Sequence, residues 1–113
     1  MPRVAVSADA APTKVVDAGK RLGAHIRTAR KRRRMRQEDL ASKAGMTVQT
    51  LRRVEAGSLG TGLGAYAAAL WAMGLSGQLA SVAAPNTDLE GQTLEAARRG
   101  ERIRATQVLS SDF

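Results

Sequence analysis

The sequence contains no cysteine, which excludes disulfide bonds and thiolate metal sites. Aromatic residues are almost as scarce, since only Tyr66, Trp71 and Phe113 are present. Any core must therefore be built from Leu, Ala, Val, Ile and Met, side chains that favour packed short helices over an aromatic-rich sheet sandwich. A chain of 113 residues predicts one compact domain with short tails.

Long apolar runs are also missing, and no segment approaches the roughly 18 apolar residues of a membrane-spanning helix. Residues 1–14 lack the apolar stretch of a signal peptide, so we expect a cytoplasmic protein with no membrane partner. His25 is the only histidine and has no acidic cluster near it, so neither a metal site nor a cofactor is expected. No serine has a base beside it, and we expect no enzymatic activity.

Positive charge is abundant and unevenly distributed. Residues 14–75 hold 13 Lys and Arg against 4 Asp and Glu, a net charge of +9, whereas the rest of the chain holds 5 and 6. A basic domain of this kind indicates a polyanionic partner, most often nucleic acid, although a merely soluble cationic surface is the alternative. The run KRRRMR at 31–36 is explained either as a phosphate-contacting segment or as a solvated helix end.

The spacing of apolar residues predicts an all-α fold with five helices, at about 18–32, 37–44, 48–55, 63–74 and 77–83. Asp17 or a residue near it is a candidate cap for the first helix. We assign 1–13 to a disordered arm, 14–84 to a DNA-binding and dimerisation domain, and 85–113 to a partner-binding or disordered tail. Within the tail, 92–99 suits a short helix and 104–110 an extended strand. The glycine-rich segment 57–64 lacks a following Gly-Lys-Ser/Thr and is interpreted as a helix connection.

The second and third predicted helices are joined by Gly45-Met46-Thr47, a short turn containing glycine. Glycine suits the left-handed end of a helix and threonine suits the cap of the next one, so the pattern is a helix-turn-helix. In the third helix Leu51 and Val54 point inward, which leaves a polar outer face suited to the DNA major groove. That outer face comprises Val48, Gln49, Thr50, Arg52 and Arg53.

Residues 21–57, RLGAHIRTARKRRRMRQEDLASKAGMTVQTLRRVEAG, resemble the XRE (Cro/phage-repressor) helix-turn-helix domain, and the likeness extends over roughly 18–75. The resemblance implies a phage-repressor-like fold and binding to a double-stranded DNA operator, and hence association with the nucleoid. It implies that Gln37 holds a phosphate and braces the helices, and that Arg30 pairs with Glu55. The complete set of predicted DNA-binding residues is Gln37, Thr47, Val48, Gln49, Thr50, Arg52, Arg53, Arg36 and Arg34. Arg36 departs from the family pattern, because Thr or Ser usually caps the second helix.

Residues 69–104 are similar, more loosely, to the tails of HipB-type antitoxins. This resemblance implies a repressor of its own operon that binds and neutralises a HipA-like serine/threonine kinase toxin. It also implies a homodimer, for which Leu75, Leu79 and Val82 are the available apolar residues. Trp71 falls off the apolar stripe of its helix and is either a contact surface or packed over a neighbouring segment. Phe113 is either a docking residue or part of a frayed end.

Two other interpretations stay open. One is a stand-alone XRE-family regulator with the same DNA chemistry and no toxin. The other is a helix-turn-helix protein whose basic face holds RNA or bridges to another protein.

Overall fold

The computed structural model describes residues 10–111, which form helices and turns without any strand. The α-helices are α1 (Thr13–Arg32), α2 (Gln37–Ala44), α3 (Val48–Glu55), α4 (Leu63–Ala72), α5 (Ser76–Ala80) and α6 (Leu89–Ser111), with a 3-10 turn at Pro85–Thr87. The predicted all-α fold class is confirmed. Residues 1–9 of the predicted N-terminal arm, 1–13, lie outside the described residues, and Thr13 already belongs to α1. The domain limits 14–84 and 85–113 stay predictions.

The bounds of α2 and α3 coincide with those that the sequence predicts, whereas α1 begins five residues earlier than expected. Pro12 precedes its first turn, and the carbonyl of Pro12 accepts the amides of Val15 and Val16 at 3.0 and 3.1 Å. Asp17 therefore lies inside the helix, and the prediction that it caps α1 is wrong. Proline fixes a backbone angle suited to a helix start and lacks an amide that needs a partner, so it replaces a polar cap.

The chain divides into two compact units, which within the described residues comprise 10–79 and 80–111. In the first unit, α1 to α4 bury one aliphatic core, in which Ile26, Leu40, Leu51 and Val54 are almost completely shielded from solvent. Each of the first three helices contributes to this group, so burial of their inner faces drives the docking of α1, α2 and α3. Tyr66, Ala69, Leu70, Ala72 and Met73 complete the core from α4 and its end.

Two glycines let α1 approach the end of α3 closely. A Cβ at Gly23 would lie 2.5 Å from the carbonyl oxygen of Val54 and 2.7 Å from that of Glu55. A Cβ at Gly19, one turn earlier, would lie 2.9 Å from the carbonyl oxygen of Gly57. These are backbone atoms that cannot move aside as a side chain does, so the packing of α1 on α3 requires the absence of a side chain at these positions.

The second unit consists mainly of α6, which corrects the prediction for the tail. Residues 92–99 are helical as expected, but 104–110 continue the same helix and do not form a strand. The side chain of Asp88 accepts the amide of Gly91 at 3.0 Å and starts the helix, and Arg99 pairs with Glu95 one turn away at 2.7 Å. No helix within 10–111 is long and apolar enough to cross a bilayer.

Substituting Gly23 with Ala tests the close approach. We expect Gly23→Ala to lower the free energy of unfolding by about 1–3 kcal/mol, because backbone atoms must shift to admit the methyl group. Gly64→Ala in α4 is the matched control, since a Cβ there meets nothing within 4 Å. Urea unfolding should show no loss for the control. Equal stability of both variants would contradict the close packing.

Candidate nucleic-acid interface

The turn between α2 and α3 is defined by one backbone conformation and one side-chain cap. Gly45 has a φ of +71°, the left-handed conformation in which glycine avoids the strain of a side chain. The hydroxyl of Thr47 accepts the amide of Thr50 at 3.1 Å and lies 3.0 Å from the hydroxyl of Thr50. The predicted N-cap at Thr47 is therefore present, and these two hydroxyls hold the first turn of α3 in place.

The α3 helix has one buried face and one open face. Leu51 and Val54 are fully buried, whereas Gln49, Arg52 and Arg53 are exposed. Gln49 and Arg53 are four residues apart and therefore project from the same side of the helix. The exposed side thus carries an amide and guanidinium groups, which are groups able to form hydrogen bonds with base edges and phosphates.

A buried ion pair joins α1 to α3. The guanidinium of Arg30 donates two hydrogen bonds to the carboxylate of Glu55, Nε to Oε2 at 2.7 Å and Nη2 to Oε1 at 3.0 Å. The side chains of Arg30 and Glu55 are only 9% and 4% exposed. The hydrogen bonds to Glu55 raise the pKa of Arg30, so this guanidinium stays charged. Arg30 also donates through Nη1 to the carbonyl of Met35 at 2.9 Å, which fixes the segment between α1 and α2.

Gln37 extends this pair into a chain of hydrogen bonds across three helices. Its Nε2 donates to Oε1 of Glu55 at 3.2 Å, and its Oε1 accepts from Nε of Arg52 at 3.3 Å. The amide thus links α2 to both the buried carboxylate and an exposed arginine of α3. Arg52 is exposed but oriented, because its Nε is engaged while its two terminal nitrogens stay available to a ligand. The structure places Gln37 in the bracing position.

The first turn of α2 has no side-chain cap on its amides, since Arg36 carries donors only. Asp39 instead accepts the backbone amide of Arg36 at 2.8 Å, and this contact lowers the pKa of the Asp39 carboxyl. Because the pKa is lowered in the folded state, the contact stabilises the protein fully at pH values above the ordinary carboxyl pKa. This stabilisation is lost as the pH falls through the lowered pKa. The first amides of α2 stay open to an anion.

An open cleft of about 630 Å³ lies beside the start of α2 and brings several arginines together. Sequence reasoning missed one of them, Arg27, which lines the cleft from α1. Its spacing could have found it, because Arg27 precedes Arg30 by three residues and so shares its side of the helix. The residues lining the cleft are Arg27, Arg30, Arg36, Gln37, Glu38, Arg52, Glu55 and Ala56.

Arg34 occupies a backbone conformation that usually belongs to glycine. At the end of α1 the amide of Arg34 donates to the carbonyl of Lys31 at 3.0 Å, and the amide of Met35 donates to the carbonyl of Arg30 at 3.3 Å. These two hydrogen bonds define a Schellman motif. The left-handed residue of this turn is Arg34, with a φ of +52°. A non-glycine residue there costs about 1 kcal/mol, so the chain carries an exposed cation at some expense in stability.

The other predicted site residues lie apart from α3. Leu75 and Leu79 are half-buried against the core, which leaves only part of each for a dimer contact. Val82, in the second unit, is 69% exposed. Trp71 is 63% exposed, and Phe113 lies outside the described residues. The dimer and partner roles of these side chains stay predictions, as do the DNA contacts assigned to individual residues.

We expect Glu55→Ala to lower the free energy of unfolding by about 3 kcal/mol or more, because it leaves the buried Arg30 without its counter-ion. Glu38→Ala is the control, since Glu38 is exposed and forms a long ion pair of 3.9 Å with the exposed Arg36. Exposed pairs contribute about 0–1 kcal/mol. Urea unfolding measures both, and similar midpoints for the two variants would refute the bracing role.

Comparison with known proteins agrees with this geometry. The family model described as a helix-turn-helix domain matches residues 21–82, more than half of the chain and the whole of α2, the turn and α3. The chain has no significant match among curated proteins or among solved structures. The matched range covers the buried Arg30–Glu55 pair and the exposed face of α3. The chain belongs to the helix-turn-helix family and is an XRE-like DNA-binding protein.

Proposed function

We propose that this protein is a sequence-specific transcriptional repressor that inserts α3 into the major groove of its operator. The observation that carries the proposal is the division of α3 into two faces. Leu51 and Val54 are fully buried, whereas Gln49, Arg52 and Arg53 are exposed on a helix braced from behind by α1 and α2. The major groove admits a helix of this kind, and its base edges form hydrogen bonds with amide and guanidinium groups.

The exposed groups suit different parts of the operator. An amide such as that of Gln49 pairs well with adenine, and a guanidinium such as that of Arg53 pairs with guanine. Val48, which is half-buried, offers apolar contact to a thymine methyl group. Thr47 and Thr50 hold each other through their hydroxyls, so we assign them to the cap and to contacts at the edge of the site.

Phosphate contacts would position the helix without reading sequence. The open amides of α2 lie next to the cleft that Arg27, Arg36 and Arg52 line, and this combination favours an anionic oxygen. Arg34 adds a further exposed cation three residues before α2. We therefore assign one DNA phosphate to the start of α2 and another to the turn that precedes it.

A single domain of this kind reads about half of a palindromic site, so we propose a homodimer. Leu79 and Val82 offer partly and largely exposed apolar surface at the end of the first unit and the start of the second. The protein would act on DNA in the cytoplasm, in association with the nucleoid, and without catalytic activity.

The finer proposal is that this repressor is an antitoxin. Support comes from the resemblance of residues 69–104 to HipB-type tails and from α6, where Leu94, Ile103 and Val108 are more than half exposed. Solvent-exposed apolar side chains along a helix suit a protein partner, here a HipA-like serine/threonine kinase. A stand-alone regulator without a toxin has the same DNA chemistry and is distinguished by its operon.

Base reading is tested with a duplex site selected from random DNA. We expect Arg53→Ala to weaken binding to that site by about 1–3 kcal/mol and to relax preference at one position. Arg34→Gly is the matched control, since glycine suits the left-handed turn and only a phosphate contact is removed. The control should weaken binding to selected and to random DNA equally. It should also make the fall of log affinity with log salt less steep by about 1.

Equal losses on selected and random DNA for Arg53→Ala would make Arg53 a phosphate contact and remove it from base reading. Preferred binding to competitor RNA over any selected duplex would favour the RNA-associated interpretation and overturn the proposed function.

The antitoxin proposal is tested by co-expressing the chain with the product of the neighbouring gene. We expect a kinase-like neighbour that co-purifies with the full chain. We expect Leu94→Arg together with Val108→Arg to abolish co-purification by charging two exposed apolar positions on the same side of α6. Retention of DNA binding in this double variant separates the two activities. A neighbouring gene whose product is unrelated to kinases would refute the antitoxin proposal and would not affect the repressor proposal.

A further inference from the structure

A second surface of the first unit lies away from α3 and surrounds Trp71. Trp71 is 63% exposed, although it lies between the buried residues Leu70 and Ala72 on α4. It borders a groove of about 600 Å³ whose other main lining residues are Arg33, Met35, Lys43 and Met73. These residues come from the connection that follows α1, the last turn of α2 and the end of α4. None of them belongs to α3.

The charges around this groove are of one sign. Among the residues that the structure describes, Arg33 and Lys43 are its only charged lining residues, and no carboxylate lines it. Arg33 donates to the carbonyl of Ala29 at 3.0 Å, and within residues 10–111 neither Arg33 nor Lys43 forms an ion pair. Elsewhere in the first unit, by contrast, Arg30 and Arg36 each meet a carboxylate. The groove therefore combines an apolar interior with unneutralised positive charge at its sides.

We propose that this groove binds an acidic protein segment, in which an apolar side chain packs on Trp71 and flanking Asp or Glu residues face Arg33 and Lys43. Tryptophan and arginine are the residue types most often responsible for affinity at protein interfaces. The interior suits this ligand because Met35 and Met73 carry flexible, polarisable side chains that adapt to different apolar groups.

A protein segment fits the groove better than a nucleobase does. A base stacked on Trp71 would turn hydrogen-bonding edges toward Met35, Ala72 and Met73, whose side chains cannot satisfy them. Polar groups that are buried without a hydrogen-bonding partner are unfavourable. An aliphatic or aromatic side chain fills the same space without that cost, and its flanking carboxylates neutralise the two cations.

The groove meets the proposed DNA site only at the turn before α2, where Arg33 and Met35 flank Arg34. Lys43 lies in the last turn of α2, whereas the cleft suited to a phosphate lies at Gln37 in its first turn. An eight-residue helix separates its two ends by about 12 Å. An acidic segment can therefore occupy the groove while α3 contacts DNA, which gives a DNA-bound copy a means to recruit a protein.

The test uses phage-displayed random dodecapeptides selected on the full chain and counter-selected on Trp71→Ala. We expect enriched peptides that carry an apolar residue next to two or more Asp or Glu residues. Because Trp71 is the only tryptophan in the chain, its fluorescence reports binding of the synthesised peptide directly. Binding should weaken as salt increases, since opposite charges meet at the surface.

We expect Lys43→Glu to weaken the selected peptide by about tenfold or more, equivalent to about 1.4 kcal/mol or more. Leu63→Ala, which alters an equally exposed side chain of α4 outside the groove, should leave peptide binding unchanged. Peptides that lack acidic residues, or that bind Trp71→Ala equally well, would overturn the proposal. Quenching of Trp71 by single-stranded oligonucleotides at concentrations where no peptide binds would also overturn it.

DNA binding is followed in the same variants by gel shift. Trp71→Ala should lose the peptide and keep the selected duplex, whereas Arg53→Ala should keep the peptide. Failure of the groove proposal is thereby distinguished from failure of the proposed DNA binding.

Discussion

The hydrogen-bonded ion pair between Arg30 and Glu55 fixes the position of α3, whose exposed face we propose to meet DNA. It joins the last turns of α1 and α3, and through Gln37 it reaches the first residue of α2 and then Arg52. A buried pair is not an efficient way to gain stability, because both charges lose their hydration. Its contribution is geometric, since a bidentate guanidinium–carboxylate contact accepts one relative orientation of the helices it joins.

The same arrangement explains why α3 is free to meet a ligand. The aliphatic core holds its inner face, glycine permits α1 to lie against its end, and Thr47 caps its start. The contacts that hold this eight-residue helix in the fold thus lie on its inner face and at its two ends. The exposed side chains are therefore available to bind a ligand. The hydrogen-bonded chain through Arg30, Glu55 and Gln37 restricts how far the helix can move when phosphates bind.

The positively charged side chains of the first unit fall into two groups, those that position helices and those that are available to a ligand. Some cations are neutralised within the fold, as at Arg30, and these position helices. Others, such as Arg53 and Lys43, have no carboxylate partner within residues 10–111 and lie beside the proposed DNA and beside Trp71. Arg34 belongs to the second class and occupies a strained turn. A small domain with so few carboxylates attracts polyanions and acidic surfaces alike, and what separates the two is the apolar groove around Trp71.

The class of the fold, the bounds of α2 and α3, the glycine turn at Gly45 and the Thr47 cap could all be predicted from the sequence, because they follow from periodicity and local backbone preference. Sequence reasoning misjudged Asp17 and the segment 104–110, where the proline before α1 and the helix already begun at Asp88 outweighed the local pattern. Helix packing was needed to show that Arg27 joins the cleft at α2, that Gln37 links Glu55 to Arg52, and that Trp71 borders a groove beside Arg33 and Lys43. These facts depend on distances between helices remote in sequence, which are set by core packing and are not encoded in any single segment.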